Sequence, residues 1–134
     1  MLSSNIGIDE RGRLTFAGMD TVALAEKYKT PLYLMDEDRI RANCRIYRGA
    51  MEKWFGAGSF PLYASKAASF KQIYRIMAQE GMAIDVVSSG EVYTAVHADF
   101  PMERAYFHGN NKTDEDIAYA MDCGLGCFVV DGFW

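Results

Sequence analysis

Six residues with chemically capable side chains stand at or just after the ends of short apolar runs: Lys66, Asp85, Ser88, Glu91, His108 and Asn110. Lys66 closes the run Leu62-Tyr63-Ala64-Ser65 and brings a primary amine to that point. Burial there would lower its pKa, and a neutral amine can condense with a carbonyl group. The position alone suits equally a lysine snorkelling from the rim of a sheet. Asp85 interrupts the run Ile84-Asp85-Val86-Val87, where a carboxylate needs a partner. A lysine one strand away would supply one, and so would a hydrogen bond to a neighbouring helix start. Ser88 and Glu91 have capping-box spacing, which explains them without catalysis. His108 precedes Gly109-Asn110-Asn111 and could approach a ligand or serve the loop structurally. Gly109 would let the backbone come close to a ligand, or simply turn. Asp36 and Asp131 close two further apolar runs.

These positions follow from a regular alternation. Apolar runs fall at residues 31–35, 60–64, 82–87, 105–107 and 127–130. Short, nearly continuous runs of this kind suit strands buried on both faces, as in parallel sheets. Between them lie helical patterns. Residues 37–55 repeat Ile40, Cys44, Tyr47, Met51 and Trp54 at spacings of three and four, with Asp36, Glu37 and Asp38 at the favourable N-terminal end. Residues 69–80 place Phe70, Ile73, Tyr74 and Met77 on one face, and Gly81 ends the pattern. A third helix starts at Ser88; a fourth starts at Thr113, with Asp116 three residues on and Gly124 as its stop.

The spacing predicts βα units and a parallel sheet, as an open doubly wound fold or a (β/α)₈ barrel. In both, ligands sit at the C-terminal ends of the strands, where Asp36, Lys66, Asp85, Ser88, His108, Asn110 and Asp131 fall. No GxGxxG or P-loop pattern supports a dinucleotide or nucleotide site. Residues 1–29 form a separate leading segment, with a strand at Leu14-Thr15-Phe16 and a helix from Asp20 to Tyr28; residues 30–134 form the repeating part. About five strands do not close an eight-stranded barrel, and the sequence ends in Gly132-Phe133-Trp134 soon after a strand. A shortened chain is therefore expected, with a complete open sheet as the competing fold.

The remaining features narrow the class. The 134 residues are 50% hydrophobic and 24% charged, with a net charge of −4, the composition of a globular domain. No cluster of Lys or Arg suggests a nucleic-acid partner. No signal peptide or membrane-spanning run stands out, so a cytoplasmic protein is expected. Cys44, Cys123 and Cys127 make an odd count without a disulfide framework. The spacing of Cys123 and Cys127 lacks a second ligand pair, so no metal site is expected, and buried thiols at a helix–strand junction account for them.

Four motifs, read together in order, carry a resemblance. They are Thr30-Pro31-Leu32-Tyr33-Leu34-Met35-Asp36, Tyr63-Ala64-Ser65-Lys66-Ala67, Asp85-Val86-Val87-Ser88-Ser89-Gly90-Glu91 and Phe107-His108-Gly109-Asn110-Asn111-Lys112-Thr113. Their order and spacing over about residues 13–134 resemble the N-terminal half of the barrel in diaminopimelate decarboxylases. These are fold-type III pyridoxal-phosphate enzymes related to ornithine and arginine decarboxylases and alanine racemases. The resemblance implies a (β/α)₈ barrel of which about five strands and four helices are present. It implies pyridoxal 5′-phosphate as cofactor, held covalently by Lys66, with Asp85, His108, Ser88, Glu91 and Asn110 around it. It also implies decarboxylation of an amino acid, in the diaminopimelate group meso-diaminopimelate to L-lysine, by a homodimeric full-length enzyme. The family's phosphate-binding loop and substrate-binding residues are expected beyond residue 134, so the isolated chain is expected to be inactive. A related fold-type III enzyme acting on ornithine, arginine or alanine is the nearest alternative. A non-catalytic α/β binding module is the more distant one.

Overall fold

The structure, a computed structural model, describes residues 4–132. Met1–Ser3 and the closing Phe133 and Trp134 of the sequence reading lie outside them. The chain divides into two compact units, one up to Ile40 and one from Arg41 onward.

The first unit holds three short antiparallel strands, β1 (Ile6–Ile8), β2 (Leu14–Phe16) and β3 (Met19–Asp20), in the order β1-β2-β3. Asp9 fixes the first turn by accepting from the backbone N–H groups of Arg11 at 2.9 Å and Arg13 at 2.8 Å. Ala17 and Gly18, at φ 48° and 77°, make the two-residue turn that joins β2 to β3. Asp20 then caps α1 (Thr21–Tyr28), accepting from Val22 N–H at 2.8 Å. The guanidinium of Arg13, 2.8 Å away, holds the Asp20 carboxyl below the usual carboxylate range. Asp36 similarly accepts from Arg39 N–H at 3.1 Å, at the start of α2 (Glu37–Phe55), and from the Asn5 amide at 3.0 Å. Those hydrogen bonds hold its carboxyl low as well.

The second unit is built on four parallel strands in sequence order: β4 (Leu62–Ala64), β5 (Ala83–Val86), β6 (Ala105–Phe107) and β7 (Cys127–Phe128). Helices separate them: α3 (Lys71–Gln79), α4 (Ser89–Val96) and α5 (Asp114–Asp122). The core lies where α3, β5, α4 and β6 meet, with Ile73, Tyr74, Ile76 and Met77 buried against Ile84, Val86, Val92 and Phe107. The expected alternation is present, and the arrangement is that of the opening part of a (β/α)₈ barrel.

Two sequence expectations need correction. The run at residues 31–35 forms no strand; Tyr33 is 93% exposed, and Pro31 has no N–H for a ladder. The described parallel strands are therefore four, not five. The inward face of α2 is also displaced from its apolar stripe. Cys44 is buried with its Sγ 3.8 Å from Met77 Sδ, but Tyr47 and Trp54 are exposed. The face turned to α3 carries Arg41, Arg45 and Arg48 instead. Arg41 reaches the Glu80 carboxylate at 3.0 Å, Arg45 grips both its oxygens at 2.9 Å, and Arg48 donates to the Glu80 carbonyl at 2.9 Å. A nearly buried carboxylate at the end of α3 thus sets the helix rotation more strongly than the aromatic side chains do.

Candidate functional site at the strand mouth

Lys66, Asp85 and His108 emerge at the C-terminal ends of three adjacent strands. The register sets Ala64 beside Asp85 and Val86 beside Phe107, so the residues that follow β4 and β6 flank the end of β5. Lys66 lies in a single 3₁₀ turn, Ser65–Ala67, directly after β4. The turn is tied by Ala68 N–H to the Ser65 carbonyl at 3.1 Å, and Tyr63 spans it by donating its hydroxyl to the Ala68 carbonyl at 3.0 Å. Burial pushes the Tyr63 phenol up, which keeps the proton that this bond needs. Tyr63 was not among the residues singled out from the sequence. It stands three positions before Lys66 in the same motif, and its aromatic type gave no sign that its hydroxyl would span the turn.

Ser65 is fully buried, its hydroxyl without a partner among the described residues, whereas Lys66 is exposed. The lysine amine makes no hydrogen bond or ion pair within the described residues. The expected burial of Lys66 is therefore absent from this chain, and its position at the mouth rests on the turn.

Asp85 is half-buried, and its neighbour is His108 on the next strand, with Oδ2 3.9 Å from Nδ1. The sequence offers a lysine one strand away or a hydrogen bond to a neighbouring helix start for that place. His108 is held by its own backbone, donating N–H to the Val86 carbonyl at 2.9 Å and so extending the β5–β6 ladder by one residue. Gly109 follows at φ 119°, in a region that disfavours side chains. The loop turns there, and a Cβ at Gly109 would lie 3.9 Å from the Val87 carbonyl.

Ser88 and Glu91 have local partners. Ser88 Oγ accepts from Glu91 N–H at 3.3 Å, and Glu91 Oε2 accepts from Val87 N–H at 2.8 Å. The carboxylate thus fills the positive end of α4, a place where a phosphate would otherwise be favoured. Asn110 is drawn to a different residue. With its amide nitrogen turned to Asp131, it donates to both carboxylate oxygens, at 2.9 and 2.8 Å. Asp131, which closes the last apolar run of the sequence, thus joins the mouth through Asn110. Asp36 belongs to the first unit and caps α2.

The donor set fits the aldehyde end of a pyridoxal group: an accessible, unengaged primary amine with a carboxylate and an imidazole on neighbouring strand ends. Among the described residues no group of three or more His, Cys, Asp or Glu is placed to hold a metal ion, and no helix is long and apolar enough to cross a membrane.

Sequence comparison agrees with this geometry. A family model described as the pyridoxal-binding domain of pyridoxal-dependent decarboxylases matches residues 37–133. The chain belongs to this pyridoxal-dependent decarboxylase family. It is 44% identical over 126 residues to a diaminopimelate decarboxylase from Bacillus subtilis (strain 168), covering 94% of this chain and 28% of that one. It is 41% identical over 123 residues to one from Mycobacterium tuberculosis (strain H37Rv), covering 92% and 27%. Among solved structures, diaminopimelate decarboxylase from M. jannaschii in complex with L-lysine superposes with a TM-score of 0.81 at 35% identity, over 96% of this chain and 30% of that one. A lysine/ornithine decarboxylase from Vibrio vulnificus in complex with putrescine gives a TM-score of 0.73 at 28% identity, over 84% and 30%. The chain thus spans less than a third of the length of each of these relatives.

Proposed function

We propose that this chain is the lysine-bearing part of a pyridoxal-phosphate-dependent diaminopimelate decarboxylase, converting meso-diaminopimelate to L-lysine and CO₂. The observation that carries the reading is Lys66, exposed and unengaged in a fixed turn at the end of β4, with Asp85 and His108 at the ends of the next two strands. Lys66 would hold pyridoxal phosphate covalently through its amine. When bound, that group supplies an electron sink for the pair left by a departing carboxylate.

The chain's own residues prepare the mouth. Tyr63 holds the turn that presents the lysine. Asp85 and His108 place a carboxylate and an imidazole beside the reacting region, where either can hold or pass a proton. Ser88 and Glu91 border the site through the start of α4, and Asn110 borders it through Asp131. Glu91 keeps the α4 N-terminus occupied, so the phosphate would be bound elsewhere. The 41–44% identity to diaminopimelate decarboxylases over at least 92% of this chain supports that substrate. An ornithine- or arginine-type substrate is the second reading, its ornithine side supported by the likeness to the Vibrio vulnificus lysine/ornithine decarboxylase. We propose further that the full-length enzyme is cytoplasmic and homodimeric. Three cysteines without disulfides support the compartment, and the family resemblance supports the dimer.

The test is CO₂ release by the full-length protein from meso-diaminopimelate, ornithine and arginine in parallel. The proposal expects L-lysine from meso-diaminopimelate as the dominant product and no turnover by the 134-residue chain alone. Preference for ornithine or arginine would move the assignment to the second reading.

A further inference from the structure

The loop that carries His108 is fastened on both sides, and the fastening toward β7 involves Lys112, to which the proposed function assigns no part. On one side is the His108 N–H bond to Val86. On the other, Lys112 Nζ donates to the Gly109 carbonyl in its own loop and, at 3.1 Å, to the Val129 carbonyl just beyond β7. The same ammonium lies 5.7 Å from the centre of the Phe107 ring, which stacks on Phe128 of β7 at 5.9 Å. Asn110 makes the second link across the same gap, to both oxygens of Asp131. Two side chains from one loop thus grip one strand end, and Val129 N–H returns a bond of 2.9 Å to the Phe107 carbonyl.

We propose that Lys112, assisted by the Asn110–Asp131 pair, is a positioning residue that clasps the β6–α5 loop to the end of β7 and so sets His108 against Asp85 at the mouth. A lysine ammonium has three hydrogens and no acceptor. Two of those at Lys112 go to carbonyls that strand pairing leaves without partners. Lys66 makes no such bonds within the described residues. The chemistry of the two lysines therefore divides cleanly: Lys66 is free to react, and Lys112 holds the loop. The clasp also explains the glycine between His108 and Asn110. At φ 119°, Gly109 turns the chain so that its carbonyl can meet the ammonium three residues on.

The part of the proposal that concerns the cofactor rests on the function proposed above, so the test has two arms. The first is amide hydrogen exchange on the cofactor-free chain, comparing wild type with Lys112→Met, Lys112→Arg and Asp131→Ala. Lys112→Met should speed exchange in residues 108–113 and 129–131 by about tenfold or more while leaving residues 83–86 unchanged. Lys112→Arg, which can still donate to both carbonyls, should stay within about threefold of wild type. Asp131→Ala removes an exposed carboxylate whose partner is the Asn110 amide, and should give a smaller acceleration confined to the same loop. The second arm is uptake of pyridoxal phosphate at Lys66, which Lys112→Met should weaken and Lys112→Arg restore. Wild-type exchange in Lys112→Met and Asp131→Ala would overturn the clasp, and so would an arginine variant as impaired as the methionine one. Unchanged uptake in Lys112→Met would overturn its positioning role. A wild-type chain that takes up no pyridoxal phosphate would count against the function proposed above, leaving the exchange arm to decide the clasp.

Discussion

The carboxylate of Asp85 lies 3.9 Å from Nδ1 of His108, across the boundary between two parallel strands. Asp85→Asn keeps the size of the side chain and removes the charge that faces the imidazole. We expect pyridoxal phosphate affinity to fall by about tenfold, or about 1.4 kcal/mol, with an unchanged melting temperature, since the half-buried position tolerates a neutral amide. Fluorescence titration beside a thermal melt checks both, and equal affinity in the two proteins would remove Asp85 from the site.

Glu91 separates a capping role from a cofactor contact. Its Oε2 accepts from Val87 N–H at 2.8 Å, a bond that a glutamine oxygen can also make. Glu91→Gln should therefore preserve stability, whereas Ser88→Ala, which removes the side-chain acceptor for Glu91 N–H, should cost about 1 kcal/mol. Urea denaturation gives both values. A severe loss of stability in Glu91→Gln would show that the charge itself is needed at the start of α4.

Glu80 should give the second unit a pH-dependent stability. The hydrogen bonds from Arg45, and then from Arg41, hold its carboxyl below the usual carboxylate range in the folded state. A group with a depressed folded pKa stabilises the fold above its unfolded pKa, and that contribution disappears as the pH falls through the folded value. Glu80→Gln should therefore lower the melting temperature by a few degrees at neutral pH, with the gap to wild type closing in acid. Arg45 is largely exposed, so salt should narrow the gap too. A gap independent of pH would assign the loss to packing.

Gly126 stands where the chain enters β7, against the backbone of Glu103. A Cβ there would lie 2.6 Å from the Glu103 carbonyl carbon, and the neighbour is main chain that cannot swing away. Gly126→Ala should destabilise the protein by about 1–3 kcal/mol, measured by chemical denaturation. A neutral result would mean that β7 shifts freely.

Much of the fold was legible in the sequence because local rules and tertiary packing agreed. Thr113 and Asp116 form the capping box that their spacing announced, and Ser88 caps α4 as read. The Lys66 motif falls at a strand end because an apolar run followed by a lysine is hard to place elsewhere in a parallel sheet. The failures have physical causes. Residues 31–35 are apolar enough for a buried strand, but periodicity cannot distinguish a strand from an extended segment without a ladder partner. The rotation of α2 is hidden from the sequence because the stripe of Tyr47, Met51 and Trp54 is local, whereas Glu80, the acceptor for Arg41, Arg45 and Arg48, is distant in the chain. At the site, the nearness of His108 to Asp85 depends on strand register, which the local pattern around Asp85 does not report. Lys112 and Tyr63 act through hydrogen bonds to backbone carbonyls, which no side-chain pattern reports.

The central claim is that Lys66 is the cofactor lysine. The purified chain should be incubated with pyridoxal phosphate, reduced with borohydride and mapped by mass spectrometry. The account predicts stoichiometric labelling confined to Lys66, abolished by Lys66→Ala. Labelling scattered over Lys71, Lys112 and other lysines, or none at all, would contradict it.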